Sequence, residues 1–262
     1  MTLVRILTYR TNSVADSKRL TLKKLLIVLA TLATVETHSQ SVKVLYKSDI
    51  KNLSEGKKFA YIEPATDTNF LQYVATIQAK DKNKKSVLEN LFAEIRKEAN
   101  KLGATCYKIN FFTRGSSTNE AILTLDCYFA YDATLATNTA NHEINVVYIF
   151  GKEKEDDGRT ISVDVNDSVQ EIKAGTFLKY TLKEGEELKI SKGGFTGATV
   201  WLKWEADKQP QFYTLTGFGL SDIQQQPYYP GQSSIGFNTG RINKITDISL
   251  GLLLVNLLKQ CN

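Results

Sequence analysis

Few residues in this chain have the types and spacing to do chemistry. There are three cysteines and two histidines in 262 residues. Cys106 and Cys127 fall in two strand-like runs, Ala104–Phe112 and Ala121–Tyr131, on either side of the polar loop Thr113–Asn119. If the turn is centred between Ser116 and Ser117, position 106 faces position 127. Directly opposed residues of a hairpin have Cβ atoms about 4.5–5.5 Å apart, close to the span that a disulfide needs. This predicts a structural Cys106–Cys127 disulfide in a compartment where such bonds persist. The alternative is two buried free thiols with the register off by one. Cys261 is left over beside the C-terminus, either as an exposed thiol that cross-links two chains or as a passive tail residue.

Metal and cofactor chemistry is not expected. His142 is the only histidine after residue 39, so no His/Cys cluster has ligand spacing. Glu153, Glu155, Asp156 and Asp157 do not match the calcium-loop spacing. No Gly-x-Ser-x-Gly elbow, phosphate loop or dinucleotide fingerprint is present. A Ser/His/Asp or Cys/His set would lack a base, and no catalytic residue is assigned. Paired carboxylates remain open, because a fold can bring them together from any part of the chain.

One aromatic residue stands out. In Ala198–Glu205 (ATVWLKWE) alternation puts Val200, Leu202 and Trp204 on one face, and Thr199, Trp201, Lys203 and Glu205 on the other. The first set reads as core. Trp201, with Lys203 beside it, is then an aromatic on a polar face, suited to anchoring a protein or glycan partner. The alternative is that the tail or the first unit covers it.

The elements that would position these residues follow an export signal. Lys23 and Lys24 precede an apolar run, Leu25–Val35, and Thr37-His38-Ser39 ends it with small residues at the −3 and −1 positions. Residues 1–39 therefore read as a signal peptide with an N-terminal extension, cleaved before Gln40. At 11 residues the apolar run is too short to span a bilayer, which takes about 20. With no Cys at the cleavage site, a lipid anchor is not expected. The leader holds six of the 33 basic residues and two of the 28 acidic ones, so residues 40–262 carry a formal charge of only +1. The apparent basicity belongs to the leader, and a nucleic-acid partner is not expected.

The pattern predicts an α+β chain: an N-terminal sheet with one packed helix over 42–131, a linker at 132–142, and an all-β, sandwich-like unit over 143–220. Short β-rich runs occupy Val42–Tyr46, Lys58–Glu63 and Leu71–Ala79. Leu88, Leu91, Phe92, Ile95, Ala99 and Leu102 form one helical stripe, started by the capping box Ser86–Glu89 and ended by Gly103. From Glu143 onward, seven strand-like runs alternate with turn signals, the pattern of a small β-sandwich. Residues 221–262 read as a low-order tail that opens with Gln224–Gly231 (QQQPYYPG) and carries a short apolar segment, Ile248–Leu258. That segment is expected to pack as a final helix or strand, the alternative being docking to a partner or a membrane surface.

The stretch Leu88–Phe112, with its Ala99-x-x-Leu102-Gly103-Ala104 core, resembles the helix, Leu-Gly-Ala, strand unit of small bacterial envelope proteins. These include the Rcs stress-sensor outer-membrane lipoproteins and the YbjQ-like proteins. The β-rich half resembles uncharacterised all-β domains of exported bacterial proteins, which implies no activity. The expectation is an exported, non-enzymatic binding or structural protein of the bacterial envelope, in the periplasm, at the surface or secreted. The alternative is a secreted hydrolase using paired carboxylates.

Overall fold

The computed structural model describes residues 40–50, 56, 58–81, 88–114, 120–151, 160–193, 197–215 and 242–261. The leader, Ser86, the acidic group at 153–157 and tail residues 221–241 lie outside the described residues. The described chain is α+β and rich in strand, as the sequence pattern predicts. Residues 40–262 form one compact unit.

The first sheet has the order β1-β3-β5-β4-β2, from β1 (Gln40–Lys47), β2 (Ala60–Tyr61), β3 (Gln72–Asp81), β4 (Cys106–Thr113) and β5 (Ala121–Phe129). Helix α1 (Leu88–Lys101) lays its predicted stripe against this sheet, burying Leu88, Leu91, Phe92, Ile95 and Ala99. Its end is a full Schellman cap. Gly103 takes φ 83°, Gly103 N–H donates to the Asn100 carbonyl and Ala104 N–H to the Ala99 carbonyl, both at 3.0 Å.

Two further sheets pack face to face. The middle sheet is β13-β12-β6-β9-β14 and the outer one β11-β10-β7-β8. The middle strands are β6 (Val146–Phe150), β9 (Thr176–Thr181), β12 (Gln211–Thr214), β13 (Asn243–Ile245) and β14 (Lys259–Gln260). The outer strands are β7 (Ile161–Val165), β8 (Ser168–Ile172), β10 (Glu187–Lys192) and β11 (Ala198–Lys203). β6 (VVYIF) is buried along its whole length, because both faces of the middle sheet are covered. Val147 and Ile149 point into the core shared with the outer sheet. Val146, Tyr148 and Phe150 point into the core that also holds α1 and the first sheet.

The apolar C-terminal segment packs as a final helix, as expected of it. Residues 248–257 form helix α3 (Ile248–Leu257), and the strands before and after it, β13 and β14, add to the two edges of the middle sheet. Asp247 caps α3, accepting from Ser249 N–H at 3.0 Å and Leu250 N–H at 3.2 Å, and pairs with Arg96 of α1. Gly251 is required by close approach: a Cβ there would lie 2.3 Å from the Phe212 ring. Leu250, Leu252, Leu253 and Leu254 then join the main core.

The segment expected as a linker differs from that expectation. Asp132–Ala140 is helix α2. It carries no apolar stripe to reveal it in the sequence. It is held instead by Leu135, packed beside Ile62, Cys106 and Ala130, and by the fully buried Asn138. The Asn138 side-chain oxygen accepts from Glu63 N–H and the Thr66 hydroxyl, and its amide donates to the Tyr61 carbonyl, each at 2.8 Å. Among the described residues no helix is long and apolar enough to cross a membrane.

Candidate functional site

The residue singled out by alternation is where the pattern puts it. Trp201 is 60% exposed on the edge strand β11, while Val200, Leu202 and Trp204 pack into the core between the outer and middle sheets. The antiparallel β10–β11 register sets its neighbours: Lys189 opposes Trp201, Glu187 opposes Lys203, and Ser191 opposes Thr199. All of these lie on the outward face.

The electrostatics of this face come from hairpin geometry. Asn166 and Asp167 take φ 48° and 61°, the paired left-handed conformation of a two-residue hairpin turn. That turn joins β7 to β8 and aims Asp167 at β10. Lys189 Nζ bonds Asp167 Oδ1 at 2.7 Å and lies 5.4 Å from the centre of the Trp201 ring, a cation–π contact. The indole is therefore held at one side and open at the other. Lys203, the other residue singled out, is engaged by Glu187 at 2.6 Å. That bond raises its pKa. Ser191 and Thr199 share a hydroxyl hydrogen bond of 2.9 Å. Lys189, rather than Lys203, is the cation that orders Trp201. Strand pairing of 187–192 with 198–203 carries that information, but only once the register is known.

The proposed disulfide is not formed. Cys106 and Cys127 are free and buried. Cys106 opposes Tyr128 and Cys127 opposes Tyr107, with a bulge between Ile109 and Phe111. The register is off by one from the pairing that the disulfide requires. Neighbouring positions in a strand point to opposite faces. Cys127 accordingly faces the α1 core, and Cys106 the small cluster under α2. Burial pushes the Cys106 thiol up to about 12 and the Cys127 thiol higher still, so both stay protonated and unreactive. Cys261 is half-buried, its Sγ 2.7 Å from the Thr176 hydroxyl.

A second polar group gathers where α2 meets the middle sheet. The sequence reading gave His142 no role. Its side chain is in fact buried, with Nδ1 3.0 Å from Gln209 Oε1 and Nε2 3.9 Å from Glu63 Oε1. Glu143 binds Lys179 at 2.6 Å through one oxygen and takes the Tyr148 hydroxyl on the other. Burial raises the pKa of Glu63, and repulsion from Glu143 adds to the rise. Burial also raises that of Glu143, but Lys179 and Tyr148 outweigh it and the net shift is down. With both oxygens taken, Glu143 is a structural anchor. No signal in the sequence joins residues 63, 143, 179 and 209, because only the tertiary fold brings them together.

No family model matches this chain, and no curated protein or solved structure matches it. What the geometry offers is therefore read from its own residues. Among the described residues no three His, Cys, Asp or Glu side chains gather as metal ligands. The outer face presents a half-held indole ringed by hydroxyl and charged groups, suited to stacking and hydrogen bonding.

Proposed function

We propose that this is an exported, non-enzymatic binding protein of the bacterial cell envelope, which engages its partner through the outward face of the outer sheet. The observation that carries the reading is the exposure of Trp201 on that face, next to the Lys189–Asp167 pair. Exposed tryptophans are uncommon, and where one sits among polar groups it commonly anchors a partner. One face of the indole supplies apolar area, and Ser191, Thr199, Lys203 and Glu187 supply hydrogen bonds around it. That combination fits a sugar ring or the side chain of another envelope protein. Export rests on the leader pattern of residues 1–39.

The carboxylate alternative would rest on Glu63 and Glu143. The engagement of Glu143 by Lys179 and Tyr148 supports an anchoring role over a catalytic one. The test is binding of wild-type protein and Trp201→Ala to immobilised envelope glycans and to envelope proteins. Loss of capture by at least tenfold in one arm supports the reading and names the partner class. Equal capture by the two forms removes the outer face as the site. Fractionation, with sequencing of the mature N-terminus, tests export: Gln40 at the start is the expected result.

A further inference from the structure

His142 follows α2, Glu63 follows β2, and Gln209 leads into β12. These three residues meet at the seam between the first sheet and the middle sheet. The His142 side chain is 6% exposed and that of Glu63 18%. An amide oxygen only accepts, so with Gln209 Oε1 at 3.0 Å, Nδ1 carries the ring proton. In the neutral imidazole Nε2 is then a bare lone pair. It is buried with no hydrogen-bond partner among the described residues, and it faces Glu63 Oε1 at 3.9 Å. A buried lone pair facing a half-buried carboxylate oxygen, with no protein donor between them among the described residues, is an unfavourable arrangement. One proton held between them relieves both.

We propose that Glu63 and His142 form a proton-binding pair, which takes up a single shared proton as pH falls and tightens the seam between the first and middle sheets. The proton resides on the carboxyl and is donated to Nε2, so the occupied pair is neutral. A closure of roughly 1 Å brings the two atoms to bonding distance. Asn138, already bonded to Glu63 N–H at 2.8 Å, carries the movement to α2.

The surrounding charges agree with this. Glu143 repels the ionised form of Glu63, while Lys179 and Tyr148 are spent on Glu143 and do not neutralise Glu63. Tyr61 and Tyr107 flank from β2 and β4 as neutral phenols, their ionisation opposed first by burial. Lys208, beside Gln209, is paired with Glu205 at 2.6 Å. Burial holds Glu63 above the usual carboxylate range and His142 below the usual imidazole value, despite the help of Gln209. Both directions favour one shared proton over two separate charges.

The experiment is a nitrogen NMR titration of the histidines in the full chain from pH 8 to pH 4. The His38 signals are assigned by their loss in His38→Gln. The expected result is an Nδ1–H tautomer with free Nε2 at pH 8. Nε2 then moves part-way, to a hydrogen-bonded value short of imidazolium, at a pH above the ordinary carboxylate range. Glu63→Gln abolishes that step. Three results overturn the proposal: an Nε2–H tautomer at pH 8, titration to imidazolium with an ordinary histidine midpoint, or a step that persists in Glu63→Gln. If that variant fails to fold, the wild-type tautomer and titration alone decide.

Discussion

The outer face around Trp201 and the seam around Asn138 and His142 are built from the same kinds of polar residue, in opposite surroundings. On the outer face the charges are solvated. Lys203 and Glu187 are paired, with 67% and 46% of their side chains exposed, and such pairs contribute little to stability. At the seam, Asn138 is fully buried and the His142 side chain nearly so. There each polar atom costs free energy unless a partner meets it. Burial, not residue type, decides which group carries stability and which is free to meet a partner.

Asn138→Ala should give the largest effect. It strips the partners from Glu63 N–H, the Thr66 hydroxyl and the Tyr61 carbonyl, for an expected loss of about 3 kcal/mol, read by urea unfolding. A loss under about 1 kcal/mol would mean that water replaces the asparagine, and the contrast with the outer face would shrink. Next is Gly251→Ala, which pushes a methyl group into the Phe212 ring in the main core. The expected cost is about 1–3 kcal/mol, seen as a lower urea midpoint with an unchanged slope.

The pH dependence should follow. The His142 pKa is lowered by burial, so its stabilising contribution is complete above the unfolded histidine value and is lost as pH falls through the folded one. The Glu63 pKa is raised, so its contribution is complete below the unfolded carboxylate value and is lost as pH rises through the folded one. Unfolding curves between pH 8 and pH 4 should lose the first slope in His142→Gln and the second in Glu63→Gln. Identical curves for wild type and both variants would show that the seam does not couple to protons. The smallest stability effect should be that of Trp201→Ala, within about 0.5 kcal/mol by the same assay. A larger loss would make the indole a structural residue and weaken its reading as a docking group.

Strands and the main helix were legible because periodicity records burial. The stripe Leu88–Leu102 and the alternation around Trp201 follow from which side chains must leave water, and the Gly103 cap from the left-handed backbone that ends the helix. The disulfide was misread because register depends on where the loop is centred: Thr113 faces Ile122, two residues from the assumed pairing, and the bulge between Ile109 and Phe111 recovers only one of the two. Helix α2 was missed because a buried asparagine holds it, and a polar tie leaves no apolar pattern. The seam of Glu63, His142 and Gln209 joins residues far apart in the chain and has no local signature.

The sequence by itself determined helix α1 and most of the strands, the inward and outward faces of β11, and the need of Ile248–Leu258 to be buried. Helical and strand periods are properties of neighbouring residues, and each is set by the local pattern of apolar and polar side chains. Only the tertiary structure decided that the two thiols face apart, that Lys189 rather than Lys203 holds Trp201, and that a lone histidine meets a carboxylate in the interior. Those outcomes depend on register and on long-range packing, where a shift of one residue exchanges the two faces of a strand.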